Sequence, residues 1–182
     1  MPCWLNLVIV LLILCGSGCQ QKSDFETQLN KAEAGDVEAQ TSLGWMYAKG
    51  EGVAEDYAEA FKWFRKAADQ GYAEAQYILG LNYYTGLGVP KDNVEAVKWF
   101  RKAAEQGHSN GQFDLGVMYY NGEGARKDIV EAYKWLNLSA AQGNEEAKKN
   151  RQIIAKEMTK EQIGEAERLA SEFKPSPTPA SN

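Results

Sequence analysis

The chain has 182 residues, with 20 Lys or Arg against 25 Asp or Glu and a formal net charge of -5; that length suits one compact domain or a short repeat array, and that charge disfavours nucleic acid. Hydrophobic residues make up 44% and charged residues 25%, the proportions of a folded chain and not of a disordered one. One His, and three Cys confined to the first 19 residues, leave a zinc site without ligands, and neither a metal nor a cofactor is expected.

Residues 1–19 read as an export segment. Leu7 to Leu14 is unbroken apolar sequence, yet even the stretch from Trp4 to Cys15 has only 12 residues, and a spanning helix needs about 20. The run fits the apolar region of a signal peptide, followed by the small residues Gly16, Ser17 and Gly18. Cys19 directly after them resembles a bacterial lipoprotein processing site. Gly16 stands where that pattern favours Leu, and no Lys or Arg precedes the apolar run. Cys15 has Leu12 at the favoured distance but bulky Leu14 directly before it; processing there, or a plain cleaved signal, are the alternatives. The lipoprotein resemblance implies lipidation of Cys19, which then begins the mature chain and anchors it to a membrane. Gln20 is not the Asp associated with inner-membrane retention, so the resemblance implies the outer membrane, facing the periplasm, in a cell with two membranes. A plain cleaved signal makes the protein periplasmic or secreted. Cleavage at Cys19 leaves no further cysteine, so no disulfide framework is expected.

Residues 20–36 read as a linker and capping helix, with 24–34 like the end of a helix leading into Gly35. From there the chain repeats. Gly35, Gly71, Gly107 and Gly143 are each separated by 36 residues. The same step links Leu43, Leu79 and Leu115, then Gly44, Gly80 and Gly116, then Tyr47, Tyr83 and Tyr119, then Trp63, Trp99 and Trp135. Three units are expected, 37–72, 73–108 and 109–144. Each reads as two helices. The first presents Ala39, Leu43, Gly44 and Tyr47 on one face and stops at Gly50-Glu51-Gly52. The second opens at an N-cap Asp (Asp56, Asp92 or Asp128), runs through Ala60, Phe61, Phe64, Ala67 and Ala68, and exposes Glu59, Lys62, Arg65 and Asp69. Gly44 and Ala60 are small where two helices are expected to approach. Residues 145–173 read as C-terminal capping helices. The first keeps Ala147, and Thr159 with Gln162 forms a capping box that opens the last. The proline-rich tail 174–182 is expected to be disordered.

The string Ala39-Gln-x-x-Leu-Gly-x-x-Tyr, Gly-x-Gly-Val53, Ala60-x-x-Trp63-Phe-x-Lys-Ala-Ala-x-Gln-Gly71 resembles the Sel-one-like repeat, a relative of the tetratricopeptide repeat. Unit two repeats it closely. Unit three departs at Gly111, at Ala125 and at Leu136-Asn-Leu-Ser. The resemblance implies an all-α fold, a right-handed α-α superhelix of helix-turn-helix repeats that mediates protein–protein contacts and is not an enzyme.

Trp63, Trp99 and Trp135 are expected to pack between units. More informative is the first-helix face opposite Leu43 and Tyr47. There the units carry Thr41, Trp45 and Ala48; Tyr77, Leu81 and Tyr84; and Phe113, Val117 and Tyr120. A solvated face would carry charge. The candidate partner-binding residues are therefore Trp45, Tyr77, Leu81, Tyr84, Phe113, Val117 and Tyr120, lining a groove for a protein or peptide; the competing reading is stacking between adjacent first helices. The Gly-Glu-Gly loops lack phosphate-binding spacing. His108 follows a helix-ending Gly and reads as a loop residue. Ser171-Glu-Phe-Lys174 fits Ser-x-x-Lys, which matters because some cysteine-rich relatives are linked to β-lactam binding, but no Lys-Thr-Gly accompanies it. The expected function is a non-enzymatic interaction scaffold of the bacterial cell envelope. The alternatives are an envelope hydrolase or β-lactam-binding enzyme, and a secreted or surface factor that meets a host or competitor.

Overall fold

The computed structural model describes residues 22–177; Cys19 and the rest of the expected export segment lie outside the described residues, as do 178–182. Helix α1 occupies 22–33. Six helices of equal length follow in pairs: α2 (Val37–Lys49) with α3 (Tyr57–Asp69), α4 (Ala73–Thr85) with α5 (Asn93–Glu105), and α6 (Ser109–Asn121) with α7 (Ile129–Ala141). Helix α8 (Glu145–Ile154), a 3-10 turn (Ala155–Glu157) and α9 (Lys160–Glu172) close the array. From α2 to α8 each helix packs on the next, and α7 also takes α9, so the described chain is an α-α superhelix.

Local chemistry sets these boundaries. Asp56, Asp92 and Asp128 each accept two backbone N–H groups at the start of a second helix. First helices end on Gly50, Gly86 and Gly122, all left-handed, whose N–H groups close the last turn. The Thr159–Gln162 capping box forms as expected.

Within a unit the two helices close because Gly44, Gly80 and Gly116 carry no side chain. A Cβ on Gly44 would lie 2.5 Å from Phe64 Cε1, one on Gly80 would overlap the Phe100 ring, and one on Gly116 would lie 2.9 Å from Leu136 Cγ. Between units, a glutamine relay ties three helices together. Gln76 Nε2 donates to Ala68 O on the preceding second helix (3.3 Å), and Gln76 Oε1 accepts from Gln106 Nε2 on the following one (2.7 Å). Gln40 does the same with Ala32 O and Gln70 (3.0 and 2.8 Å), and Gln112 with Ala104 O and Gln142 (3.1 and 2.8 Å). Gln40, Gln76 and Gln112 are buried, so their bonds also remove the penalty of a desolvated amide.

The loops add a second tie. Gly88 and Gly124 have φ of +72° and +67°, and a Cβ on either would overlap the carbonyl of Tyr57 or Asn93. Each loop thus lies directly on the start of the preceding unit's second helix, where no side chain fits. Leu43, Leu79, Leu115, Leu136 and Phe100 are fully buried, and Trp63, Trp99 and Trp135 are buried as expected, each contributing about 1.5–3 kcal/mol.

The C-terminal segment corrects one expectation. The tail was expected to be unpacked from residue 174, but its first residues run back along the array. Phe173 meets Trp135 edge-on at 5.5 Å, and Ser176 N–H donates to Glu105 O at 2.8 Å. Pro175 lies beside Gly107. The physical reason is an acceptor the composition does not reveal: Glu105 ends α5, so its carbonyl has no intrahelical partner and takes the one amide between Pro175 and Pro177.

Candidate partner-binding site

Four residues one repeat apart form a row along the first helices: Trp45 on α2, Leu81 on α4, Val117 on α6 and Ile153 on α8. Trp45 is 41% exposed and Ile153 53%. Ile153 was not among the candidates because α8 has lost the Leu-Gly-x-x-Tyr pattern; the 36-residue step from Val117 was the signal that could have found it.

Each successive pair of the row frames a cleft. The first, about 190 Å³, lies between Trp45 and Leu81, with Ala48, Phe64, Ile78 and Leu87 in its walls. The second, about 90 Å³, lies between Leu81 and Val117, with Tyr84, Met118, Asp114 and Glu123. The third, about 220 Å³, lies between Val117 and Ile153, with Tyr120, Leu136, Asn150 and Ile154. Trp45, Leu81, Tyr84, Val117 and Tyr120 therefore come together on one face. The Trp45 ring is fixed edge-on to Phe64 at 5.2 Å.

Tyr77 and Phe113, one position row away, line none of these three clefts. Phe113 is partly buried against the central core. Tyr77 stacks on the His108 imidazole at 4.7 Å between centroids, and its hydroxyl bonds to Asp114. Thr41, the equivalent residue of the first unit, is buried and its hydroxyl donates to Val37 O. Positions 41, 77 and 113 thus lie off the clefts that positions 45, 81 and 117 frame.

Tyrosine hydroxyls hold carboxylates along the same face. Tyr77 holds Asp114, Tyr84 holds Glu123, and Tyr120 donates to Glu157 Oε1 at 2.6 Å. Burial pushes the Asp114 carboxyl up to about 6, against the opposing effects of the Tyr77 hydroxyl and His108. Burial, helped by the Asp114 charge, pushes Tyr77 well above the ordinary phenol range. Tyr84 is raised chiefly by the Glu123 charge, and Tyr120 by its bond to Glu157. The lysines here sit over rings: Lys91 over Tyr84 at 5.1 Å and Lys127 over Tyr120 at 4.7 Å.

His108, read from the sequence as a loop residue, is the N-cap of α6. Its Nδ1 accepts Gly111 N–H at 3.0 Å and its Nε2 faces Glu74 Oε2 at 2.9 Å, so the proton sits on Nε2. Ser171 donates its hydroxyl to Arg168 O at 2.7 Å. Among the described residues there is no group of three or more His, Cys, Asp or Glu placed to hold a metal, and no helix long and apolar enough to cross a membrane. What the face offers is apolar depressions with aromatic walls and fixed carboxylates, which is the chemistry of non-covalent recognition.

The Sel1 repeat family matches residues 37–72, 73–108 and 109–144. The chain belongs to that family. Among solved structures, a protective antigen present in uropathogenic Escherichia coli strains and displaying an SLR fold is similar at 38% identity and a TM-score of 0.68, over 79% of this chain and 33% of that one. A Sel1 repeat protein from Oxalobacter formigenes is similar at 34% identity and a TM-score of 0.66, over 75% of this chain and 58% of that one. This Sel1 repeat chain thus spans a third of the first relative's length and somewhat over half of the second's. Cysteine rich protein B of Helicobacter pylori shares the fold at 21% identity and a TM-score of 0.57, over 69% of this chain and 93% of that one. No curated protein sequence matches. Sel1 repeat proteins are in general protein-interaction scaffolds.

Proposed function

We propose that this Sel1 repeat protein is a non-enzymatic adaptor of the bacterial cell envelope that binds a protein or peptide partner along its first-helix face. The observation that carries the reading is the row of clefts framed by Trp45, Leu81, Val117 and Ile153, with apolar side chains left in water at both ends. Solvent-exposed Trp and Ile on rigid helices gain roughly 25 cal/mol per Å² of apolar area when a partner covers them, and an aromatic anchor in a preformed cleft is the commonest kind of binding hot spot. A pull-down from envelope extract tests it, using the full chain and a Trp45→Ser/Val117→Ser/Ile153→Ser variant matched to it in helical content and melting. Capture by the parent and loss by the variant are expected; equal capture by both contradicts the assignment of the face.

The envelope placement rests on residues 1–19, with Cys19 the lipidated residue and the membrane reached through that lipid. Metabolic labelling with a palmitate analogue is expected to mark the chain and to leave a Cys19→Ser variant unlabelled. A second reading is favoured by one specific likeness, the 38% identity to a protein described as a protective antigen: the chain faces outward and meets a host. Protease added to intact cells separates the two, since a periplasm-facing chain survives and an outward-facing one is cut.

A further inference from the structure

The three clefts share a frame but differ in charge. The outer two are walled by apolar side chains with Asn or Thr as their polar members. The middle one alone of the three carries charged groups in its wall, and both, Asp114 and Glu123, are acidic.

We infer that the middle cleft receives a lysine or arginine side chain of the partner, flanked by apolar side chains in the two outer clefts. The inference rests on the first-helix face being the partner-binding surface and adds the chemistry of what binds there.

Four features support it. Among the described residues neither Asp114 nor Glu123 forms a salt bridge, although ion pairs are common on the outer faces of the second helices, as at Lys62–Glu59 and Lys98–Glu95. Lys91 lies over the Tyr84 ring, Tyr77 and His108 stand beside Asp114, and Asn121 Nδ2 donates to Glu123 Oε1 at 3.1 Å. Each carboxylate offers about four acceptor sites; a tyrosine hydroxyl occupies one on each and the Asn121 amide a second on Glu123, so both are oriented without being saturated. Tyr84 supplies a ring face for a guanidinium or ammonium, and Leu81 and Val117 supply apolar walls for its methylene stem. The volume points the same way: at about 90 Å³ the cleft is less than half the size of the 190 and 220 Å³ clefts beside it and suits a slender side chain better than an aromatic one.

Asp114 is peculiar to this cleft. Its counterparts one repeat away are Ile78 and Asn150, so the charge is a feature of this junction and not of the repeat. A partly buried carboxylate without a cation costs stability, and a cationic guest offsets that cost, which makes the partner's charge a determinant of specificity.

The test is a selection of phage-displayed random dodecapeptides on the full chain and on an Asp114→Asn/Glu123→Gln variant. Both amides keep an oxygen for the tyrosine hydroxyl, and Glu123→Gln alone serves if the double variant melts early. Peptides selected on the parent are expected to carry one Lys or Arg between apolar residues. Replacing that residue by citrulline, the neutral counterpart of arginine, is expected to weaken binding about tenfold or more on the parent and hardly at all on the variant. Equal binding of the charged and citrulline peptides to the parent overturns the cation site, as does a difference that persists on the variant. If such peptides still lose affinity with Trp45→Ser or Ile153→Ser, the groove itself stands and its cation selectivity fails. If no selected peptide responds to any of these substitutions, both fail.

Discussion

At Asp114 one partly buried carboxyl couples the fold to pH. In an unfolded chain an Asp titrates near 3.9; in the folded protein burial raises it to about 6. Between these values the folded state holds the proton that the unfolded state has released, so this group's contribution to stability rises as pH falls from about 6 toward 4 and is at its least favourable above 6. Asp114→Asn, which keeps an oxygen for Tyr77, is therefore expected to raise the unfolding free energy by on the order of 2 kcal/mol at pH 7.5. It is expected to change little at pH 4. Urea titrations at the two values check this, and an equal effect at both pH values contradicts it. The glycines make a second contrast. Gly80→Ala pushes a methyl into the Phe100 ring and is expected to cost about 1–3 kcal/mol. Gly164, inside α9 with open space around it, is expected to gain about 0.5–1 kcal/mol as Ala. The small residue at position 44 and its repeats was legible as a close approach because it recurred. The roles of His108 and Asp114 were not: each occurs once, and the Tyr77 ring that organises both lies on α4, about a repeat's length earlier in the chain.

At the scale of elements, the repeat pattern displays residues without saying what they do. The Ala-Gln and Gln-Gly pairs were visible as parts of the pattern, but the glutamine relay joins residues 30 apart, such as Gln112 and Gln142, and local reading does not reach that far. Gln112→Leu is expected to cost about 1–3 kcal/mol in urea denaturation, because the buried Ala104 carbonyl then loses the Gln112 donor. Lys98→Ala on the exposed second-helix face is expected to leave the urea midpoint nearly unchanged. Equal costs would mean the relay adds nothing. The second glycine of each loop was read as a turn residue; the structure adds that Gly88 and Gly124 also touch the preceding unit, so the loop both turns the chain and sets how units stack. The proline-rich tail misled for a related reason: composition says that it cannot pack with itself, not that a bare helix-end carbonyl is waiting for it at Glu105.

Across the whole molecule, stability is close to a sum of units and their interfaces, and that one-dimensional logic is why the architecture could be read almost completely from the spacing of Leu43, Gly44, Tyr47 and Trp63. The same logic limits what the spacing says about function, since a residue that recurs for stacking and one that recurs for binding give the same pattern. Placement beside the clefts separates them: positions 45, 81, 117 and 153 frame clefts, whereas 41, 77 and 113 line none of the three. The most direct measurement is site-specific photocrosslinking in the source cells, with the photoreactive residue placed in turn at Trp45, Leu81, Val117 and Ile153 on the first-helix row and at Lys62 and Lys98 on the exposed second-helix face. Crosslinks from the four row positions to one common protein, and none from the two lysine positions, are the expected result. Crosslinks from Lys62 or Lys98 with a silent row would contradict the first-helix groove as the partner-binding surface.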